Sequence, residues 1–428
     1  MTLLVLFGVF AITLYTGVPV AWSIAFSTLV VIYFGLVPLP PSWFAQQVYM
    51  GADSISLASI PLFLVAGGIM NEGGLTRRII DLANDMFGWV RGGLGVVNVA
   101  TCMIYGGITG SATADTGAVG AIMIPAMAER GYPRDFSAAV TAAAGTLGII
   151  LPPSVVMIMY GVITDTSIGG LFAAGIIPGL MLAVTFMLTA WWVGVKENFP
   201  KSETRPTVTS FGKHLLRALP ALMMPIAVLS SMLSGLATTT EAAFVAVVWA
   251  LLVGGVLYRE ITLAGLWKIG VETVRMSGAI MIIMAVSVPF SWILTVEQIP
   301  QWTAGLLHAW GAGPTITILL ILALLTFVGT WADLGPSLII LAPIVHPIGV
   351  EAGLQPYQLG LIFTMALGIG LFTPPVGTNI FVVCNVAKVG VNAVTRRLIP
   401  FFITSNICLL LVAFIPETTE WLPRYFGF

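Results

Sequence analysis

The chain has 428 residues, of which 58% are hydrophobic and only 8% charged, with a formal net charge of −1. Soluble domains carry about 25% charged residues, so this composition excludes a soluble globular protein, and the near-neutral balance gives no basis for nucleic-acid binding. Three cysteines, Cys102, Cys384 and Cys408, stand in apolar segments without metal-ligand spacing, which supplies neither a transition-metal site nor a disulfide frame.

The first apolar run, "LLVLFGVFAITLY", has no Lys or Arg before it. A cleaved secretion signal opens with a basic region, so residues 3–16 are expected to remain as a first helix. Crossing a bilayer takes about 20 predominantly apolar residues, and a helix satisfies its own backbone in lipid. Lys and Arg are absent from residues 1–76 and between Arg275 and Lys388; they cluster at 77–91, 130–134, 196–217, 259–275 and 388–397. Cytoplasmic loops carry the excess of basic residues, so the clusters are placed inside. Helices near 3–16, 19–37 and 57–73 then alternate across the bilayer, and "RRIIDLANDMFGWVR" lies along the inner surface as an amphipathic helix. Residues 93–128 begin and end on that side and therefore form a re-entrant hairpin. Residues 136–164 and 168–195 cross out and back to the polar linker 196–213.

The second half repeats the plan upside down. Helices near 214–236, 240–258 and 276–295 cross in the opposite sense, 313–348 form a second hairpin, and 357–387 and 398–416 complete the path. Both termini fall outside, with Arg424 a lone basic residue on that side. "ADTGAVGAIMIP" (114–125) aligns without a gap with "ADLGPSLIILAP" (332–343) at an offset of 218, and "GIILPPS" (148–154) matches "GLFTPPV" (370–376) at 222. The expected fold is an all-α polytopic membrane protein of two inverted repeats, 1–195 and 214–428. Each repeat carries a re-entrant hairpin and a Pro-Pro-broken transmembrane helix. Inverted repeats with Gly/Pro-interrupted spans point to a transporter site.

Adjacent prolines cannot sit inside a continuous helix, because each removes a donor and clashes with the preceding turn. The spans should break at Pro152–Pro153 and Pro374–Pro375, leaving carbonyls of Gly148, Leu151, Gly370 and Thr373 without helical partners. Such oxygens must face protein or a watery cavity, and an alkali cation at the negative end of a helix suits them. The hairpin tips add hydroxyls from Thr109, Ser111 and Thr113 in one and Thr330 beside Gly329 in the other. The downstream half-helices aim N-terminal amides inward, a setting for a carboxylate, to which Ser154, Thr378 and Asn379 add side-chain hydrogen bonds.

Asp115 is an acid inside a span, costly and therefore a functional candidate. Three roles are open to it: supporting the cation, carrying a proton, or capping the second hairpin helix. "DTG" at 115–117 with Asp333 also matches an aspartic-protease dyad, but no "GxGD" occurs, so an intramembrane aspartyl protease is the lesser alternative. A channel is disfavoured because no charged ring lines a pore. Glu241 after "ATTT" is expected to be a helix cap or boundary residue, and His214, His308 and His346 are too scattered for a metal site. Abundant oxygen ligands without chained titratable groups favour Na⁺ over H⁺ as the coupling ion.

"GGITGSATADTGAVGAIMIPAM", "GIILPPSVVMIMYG", "GTWADLGPSLIILAPI" and "GLFTPPVGTNIFVV" resemble the large membrane subunit of TRAP (tripartite ATP-independent periplasmic) transporters, within the ion-transporter superfamily. The resemblance implies a bacterial inner-membrane secondary transporter driven by a Na⁺ gradient. It also implies two partners, a small four-helix membrane subunit and a periplasmic binding protein that delivers substrate. Members carry organic acids, including C4-dicarboxylates and sialic acids, by an elevator movement of hairpins and broken helices against a scaffold formed by 3–37, 214–258 and the amphipathic arms. The two family Na⁺ sites fall on the first hairpin tip (including Asp115) with 148–153, which brings in Pro153, and on the second tip (including Asp333) with 370–376, which brings in Val376. A stand-alone Na⁺/anion symporter of the same plan is the alternative transporter.

Overall fold

A computed structural model of the chain describes residues 1–201, 207–309 and 311–428. Residues 202–206 of the predicted linker and the side chain of His308 lie outside the described residues. The described residues are almost wholly helical. Eight helices are long and apolar enough to cross a bilayer, or nine when the bent pair Arg134–Ile150 and Val155–Thr164 counts as one span.

The first two helices, Thr2–Tyr15 and Val20–Tyr33, have 14 residues each. At 1.5 Å per residue each is about 21 Å long, short of the roughly 30 Å hydrocarbon layer. The expected full crossings at 3–16 and 19–37 are thus shorter than a straight span requires. These two helices and the C-terminal part of Leu263–Val296 enclose a small core of their own around Leu6, Ile24 and Phe290. Leu263–Val296 has 34 residues and begins well before the expected position 276. Helices Pro41–Ala52, Ile299–Ala309 and Glu417–Phe426 also form where none was expected.

Ser59–Glu72 packs along Thr239–Leu251, whose start is fixed by a reciprocal box between the Thr238 side chain and Glu241. Satisfying two free amides this way is what a Ser/Thr-x-x-Glu start does. The amphipathic segment forms Leu75–Phe87, burying Leu75, Ile79, Leu82 and Ala83. Asp85 on this helix accepts from Ser210 (2.9 Å) and pairs with His214 (2.7 Å), tying the arm to Val208–Leu233.

The larger core holds the two hairpins and the two broken spans. Hairpin one is Gly93–Thr109 and Ala112–Glu129; hairpin two is Pro314–Trp331 and Leu334–Glu351. Two residues join the helices in each. Broken span one runs Arg134–Ala144, Leu147–Ile150 and Val155–Thr164; broken span two runs Pro356–Leu371 and Thr378–Ala387. The downstream halves cross over: Val155–Thr164 packs on the second helix of hairpin two, and Thr378–Ala387 on the second helix of hairpin one. The Tyr160 hydroxyl meets His346 Nδ1 at 2.6 Å, and Asn379 Nδ2 donates to the Ala142 carbonyl at 3.1 Å. The halves 1–195 and 214–428 therefore interlock through one core.

Candidate ion and substrate site

Both spans break at the proline pairs. Span one bends by 44° there, and Leu151–Ser154 is extended or turn-like while fully buried. Each hairpin tip ends against a break. Gly110, at φ +67°, lets the first tip turn back; a Cβ there would lie 2.6 Å from the Pro153 carbonyl oxygen. Its own carbonyl faces the Val155 amide at 3.5 Å. At the second tip the Thr330 carbonyl accepts from the Val376 amide at 3.2 Å.

Glycines set how closely tip and break approach. A Cβ on Gly106 would lie 2.5 Å from Gly148 Cα, and one on Gly370 would lie 2.2 Å from the Gly329 carbonyl carbon. Gly67 admits the first tip in the same way, with a hypothetical Cβ 3.1 Å from Thr109 Cα. Gly67 was not singled out from the sequence, although a glycine pair inside an apolar helix ("VAGG") is a legible sign of close helix approach.

The carboxyl group of Asp115 is buried in the seam between hairpin one and broken span one. The Thr109 hydroxyl donates to Oδ1. Oδ2 has no hydrogen-bond partner and points at Gly148, where a Cβ would lie 1.9 Å away. Asp115 does not cap its helix. Ser111 occupies that position, without a side-chain cap bond, and Asp115 stands a turn further in. The capping role is therefore corrected: by the time the chain reaches Asp115 the free amides of the first turn are behind it.

The two halves are also in a different register from the ungapped 114–125 alignment. Hairpin helices end at Thr109 and Trp331, begin at Ala112 and Leu334, and end at Glu129 and Glu351. All three pairs are 222 apart, like the proline pairs. The counterpart of Asp333 is thus Ser111, and both are N-cap residues. Asp333 is exposed and Asp115 is wholly buried. This disposes of a matched aspartyl dyad.

Several expected ligand groups are already engaged. The Gly370 carbonyl accepts from the Thr373 amide at 3.0 Å, so it keeps one lone-pair direction, not two. The Thr373 hydroxyl donates to Ile369 and that of Thr330 to Phe327. Ser154, assigned to cargo from sequence, is fully buried; it donates to the Ile149 carbonyl at 2.6 Å and accepts from the Met157 amide at 3.3 Å. It is the N-cap of Val155–Thr164, and with it the amide cradle of that half-helix is partly taken up. Thr378 Oγ1 and Asn379 Oδ1, at the other half-helix, are buried without partners. Among the described residues only four buried side-chain polar atoms are so placed, and three belong to Asp115, Thr378 and Asn379. Since buried polar groups are nearly always paired, these three are candidate ligand contacts. An ionised carboxylate oxygen accepts only, so the orphaned Oδ2 fits a cation.

Gly148, Leu151 and Pro153 are buried, Gly148 against Asp115 and Pro153 against Gly110 of the first tip, while Val376 and the second break are exposed. Ser111, Thr113 and Asp333 line a common cavity of about 150 Å³ between the two tips, closed in part by Gly110 and Leu371. Ser111 and Thr113 also line a neighbouring cavity of about 340 Å³ that reaches Asn71 and Glu272.

A polytopic helical bundle whose hairpin tips meet broken spans at buried, half-satisfied oxygens is the architecture of a membrane transporter permease. The chain belongs to the DctM component family of tripartite ATP-independent periplasmic transporters, whose description matches residues 7–418. It is 35% identical over 417 residues to the 2,3-diketo-L-gulonate TRAP transporter large permease protein YiaN of Escherichia coli, covering 97% of this chain and 98% of that one. It is also 35% identical over 424 residues to the isethionate TRAP transporter permease protein DctMQ of Oleidesulfovibrio alaskensis, covering 99% of this chain and 66% of the relative. The fold is similar to that of the Alcanivorax borkumensis YdaH transporter, with a TM-score of 0.64 and 14% identity over 89% of this chain and 88% of that one. The protein is a multi-pass membrane transporter subunit and not an enzyme.

Proposed function

We propose that this chain is the large permease of a Na⁺-coupled importer of a small organic acid in a bacterial inner membrane, with both termini periplasmic. A small membrane subunit and a periplasmic binding protein complete the system. Relatives named for 2,3-diketo-L-gulonate and isethionate support an organic anion as cargo, carboxylate or sulfonate. DctMQ, which is longer than this chain by about half, is consistent with a small subunit fused in that relative.

The observation that carries the coupling is Asp115: a buried acid with one oxygen unpartnered, held by Thr109 at the meeting of tip and break. Na⁺ there neutralises the charge and takes oxygens from Gly148, Leu151, Pro153 and the tip. A second Na⁺ belongs to the 222-related seam of Gly329, Thr330, Gly370, Thr373 and Val376, with Asp333 nearby. Cargo then sits between the tips, beside Ser111 and Thr113, with Thr378 and Asn379 from the second half-helix orienting it. Tips that stop at breaks make both hairpins re-entrant, and two inverted repeats so interlocked move together as an elevator against the outer helices.

The test is uptake into proteoliposomes holding this chain, its small subunit and its binding protein loaded with that protein's own ligand. Uptake should require inward Na⁺. Equal uptake in Na⁺-free buffer under a pH gradient would refute Na⁺ coupling, and uptake by this chain alone would favour the stand-alone symporter.

A further inference from the structure

A third cavity, of about 600 Å³, opens beside Asn71 and is lined by Arg77, Arg78, Arg217, Tyr258 and, from hairpin one, Ile122. Asn71 also lines the 340 Å³ cavity that holds the hairpin-one residues Thr109, Ser111 and Thr113. Asn71 thus stands between the cavity at the first tip and this vestibule on the Arg-rich side of the protein.

Its charges are not equivalent. Arg78 is committed: it pairs with Glu260 at 2.6 Å, donates to the Gly73 and Gly74 carbonyls, and lies over the Tyr258 ring at 3.8 Å. His214 is committed to Asp85. Arg77 and Arg217 are exposed to the vestibule and make no ion pair among the described residues, against one further acid, Asp81. The Asn71 side-chain oxygen accepts from Thr76 at 3.0 Å, which turns its amide donors away from Thr76. All these groups stand on the arm and outer helices, whereas Ile122 stands on the hairpin.

We infer that Arg77 and Arg217, with Asn71 at the neck, form a release-side holding site for the carboxylate or sulfonate of the cargo, distinct from the site between the tips. The inference rests on the import reading for the identity of its natural ligand. Two guanidiniums at the exit lower the energy of an anion leaving the hairpin. An anionic lipid headgroup has the same chemistry, but Asn71, shared with the cavity at the tip, favours cargo.

The test uses the full chain with Ile122→Cys in phosphatidylcholine nanodiscs, modified by anionic 2-sulfonatoethyl or cationic 2-(trimethylammonio)ethyl methanethiosulfonate. Two unit charges about one Debye length away favour the anionic reagent over the cationic one by about threefold. Arg77→Gln with Arg217→Gln should abolish that preference and also the protection given by succinate, whereas Arg77→Lys with Arg217→Lys should keep both. An unchanged rate ratio, or equal succinate protection, in the glutamine variant overturns the inference. So does protection by added phosphatidylglycerol that succinate cannot mimic, since that assigns the cations to lipid. The reagents read the vestibule and not transport, so failed uptake in the reconstituted system would sink the import reading and leave this result standing.

Discussion

Replacing Gly370 with Ala tests the seam between the second tip and its broken span. The added carbon would lie 2.2, 2.4 and 2.5 Å from the carbonyl carbon, oxygen and Cα of Gly329. Non-bonded carbons rest about 3.5–4.0 Å apart, so the helices must separate by roughly 1 Å or more. Overpacking costs about 1–3 kcal/mol. All three opposing atoms are backbone, so no rotamer change relieves the clash, and the cost is placed near 3 kcal/mol. Separation also stretches the Val376 amide bond to Thr330, which is already 3.2 Å long. Thermal unfolding of the purified chain, with and without NaCl against choline chloride, is the assay. Wild type should gain stability with Na⁺ as a native-state ligand does, whereas the variant should unfold at lower temperature and gain less. Gly278→Ala, which meets nothing within 4 Å inside Leu263–Val296, is the control and should match or exceed wild type, since Ala is about 1 kcal/mol better than Gly in a helix. A Gly370→Ala protein as stable and as Na⁺-responsive as wild type would refute the close-approach argument.

Asp115→Asn keeps an acceptor for Thr109 and removes the unpaired buried charge, so the chain without Na⁺ should be as stable as wild type or more so. Its stabilisation by Na⁺ should fall sharply in the same thermal assay, and an unchanged salt response would remove Asp115 from the ion site. Tyr160→Phe deletes the hydroxyl that meets His346 across the two halves, leaving a half-buried ring nitrogen unpaired. A loss of about 1–2 kcal/mol is expected, read as faster thermal inactivation, and no change would show that water replaces the hydroxyl. Glu420, in the C-terminal helix outside the spans, is held above the ordinary carboxyl range mainly by burial, opposed by the Gln358 amide. The folded chain thus binds that proton more tightly than the unfolded one. Its stabilisation is complete at pH below the ordinary range and is lost as pH rises through the raised value. Glu420→Gln should flatten that fall in a pH series of melting temperatures, and an identical pH profile would contradict the burial.

The sequence by itself determined the class of fold and the places where helices fail. Adjacent prolines forbid a helix whatever surrounds them, so both breaks were legible, as were the hairpins, the Arg-rich amphipathic arm and the helix start at Glu241. Self-comparison set Asp115 opposite Asp333. Helix ends 222 apart instead set Ser111, four residues earlier, opposite Asp333, both as N-cap residues. Four residues are about one helical turn, so the slip preserves the facing side chains while changing depth by about 6 Å. Only the tertiary structure decided that one acid is sealed against Gly148 while the other stands exposed, that Ser154 is spent on a cap, and that Thr378 and Asn379 keep buried oxygens unpaired. Burial and pairing depend on what packs opposite, and here the opposite surface comes from the other half of the chain, beyond the reach of any local pattern.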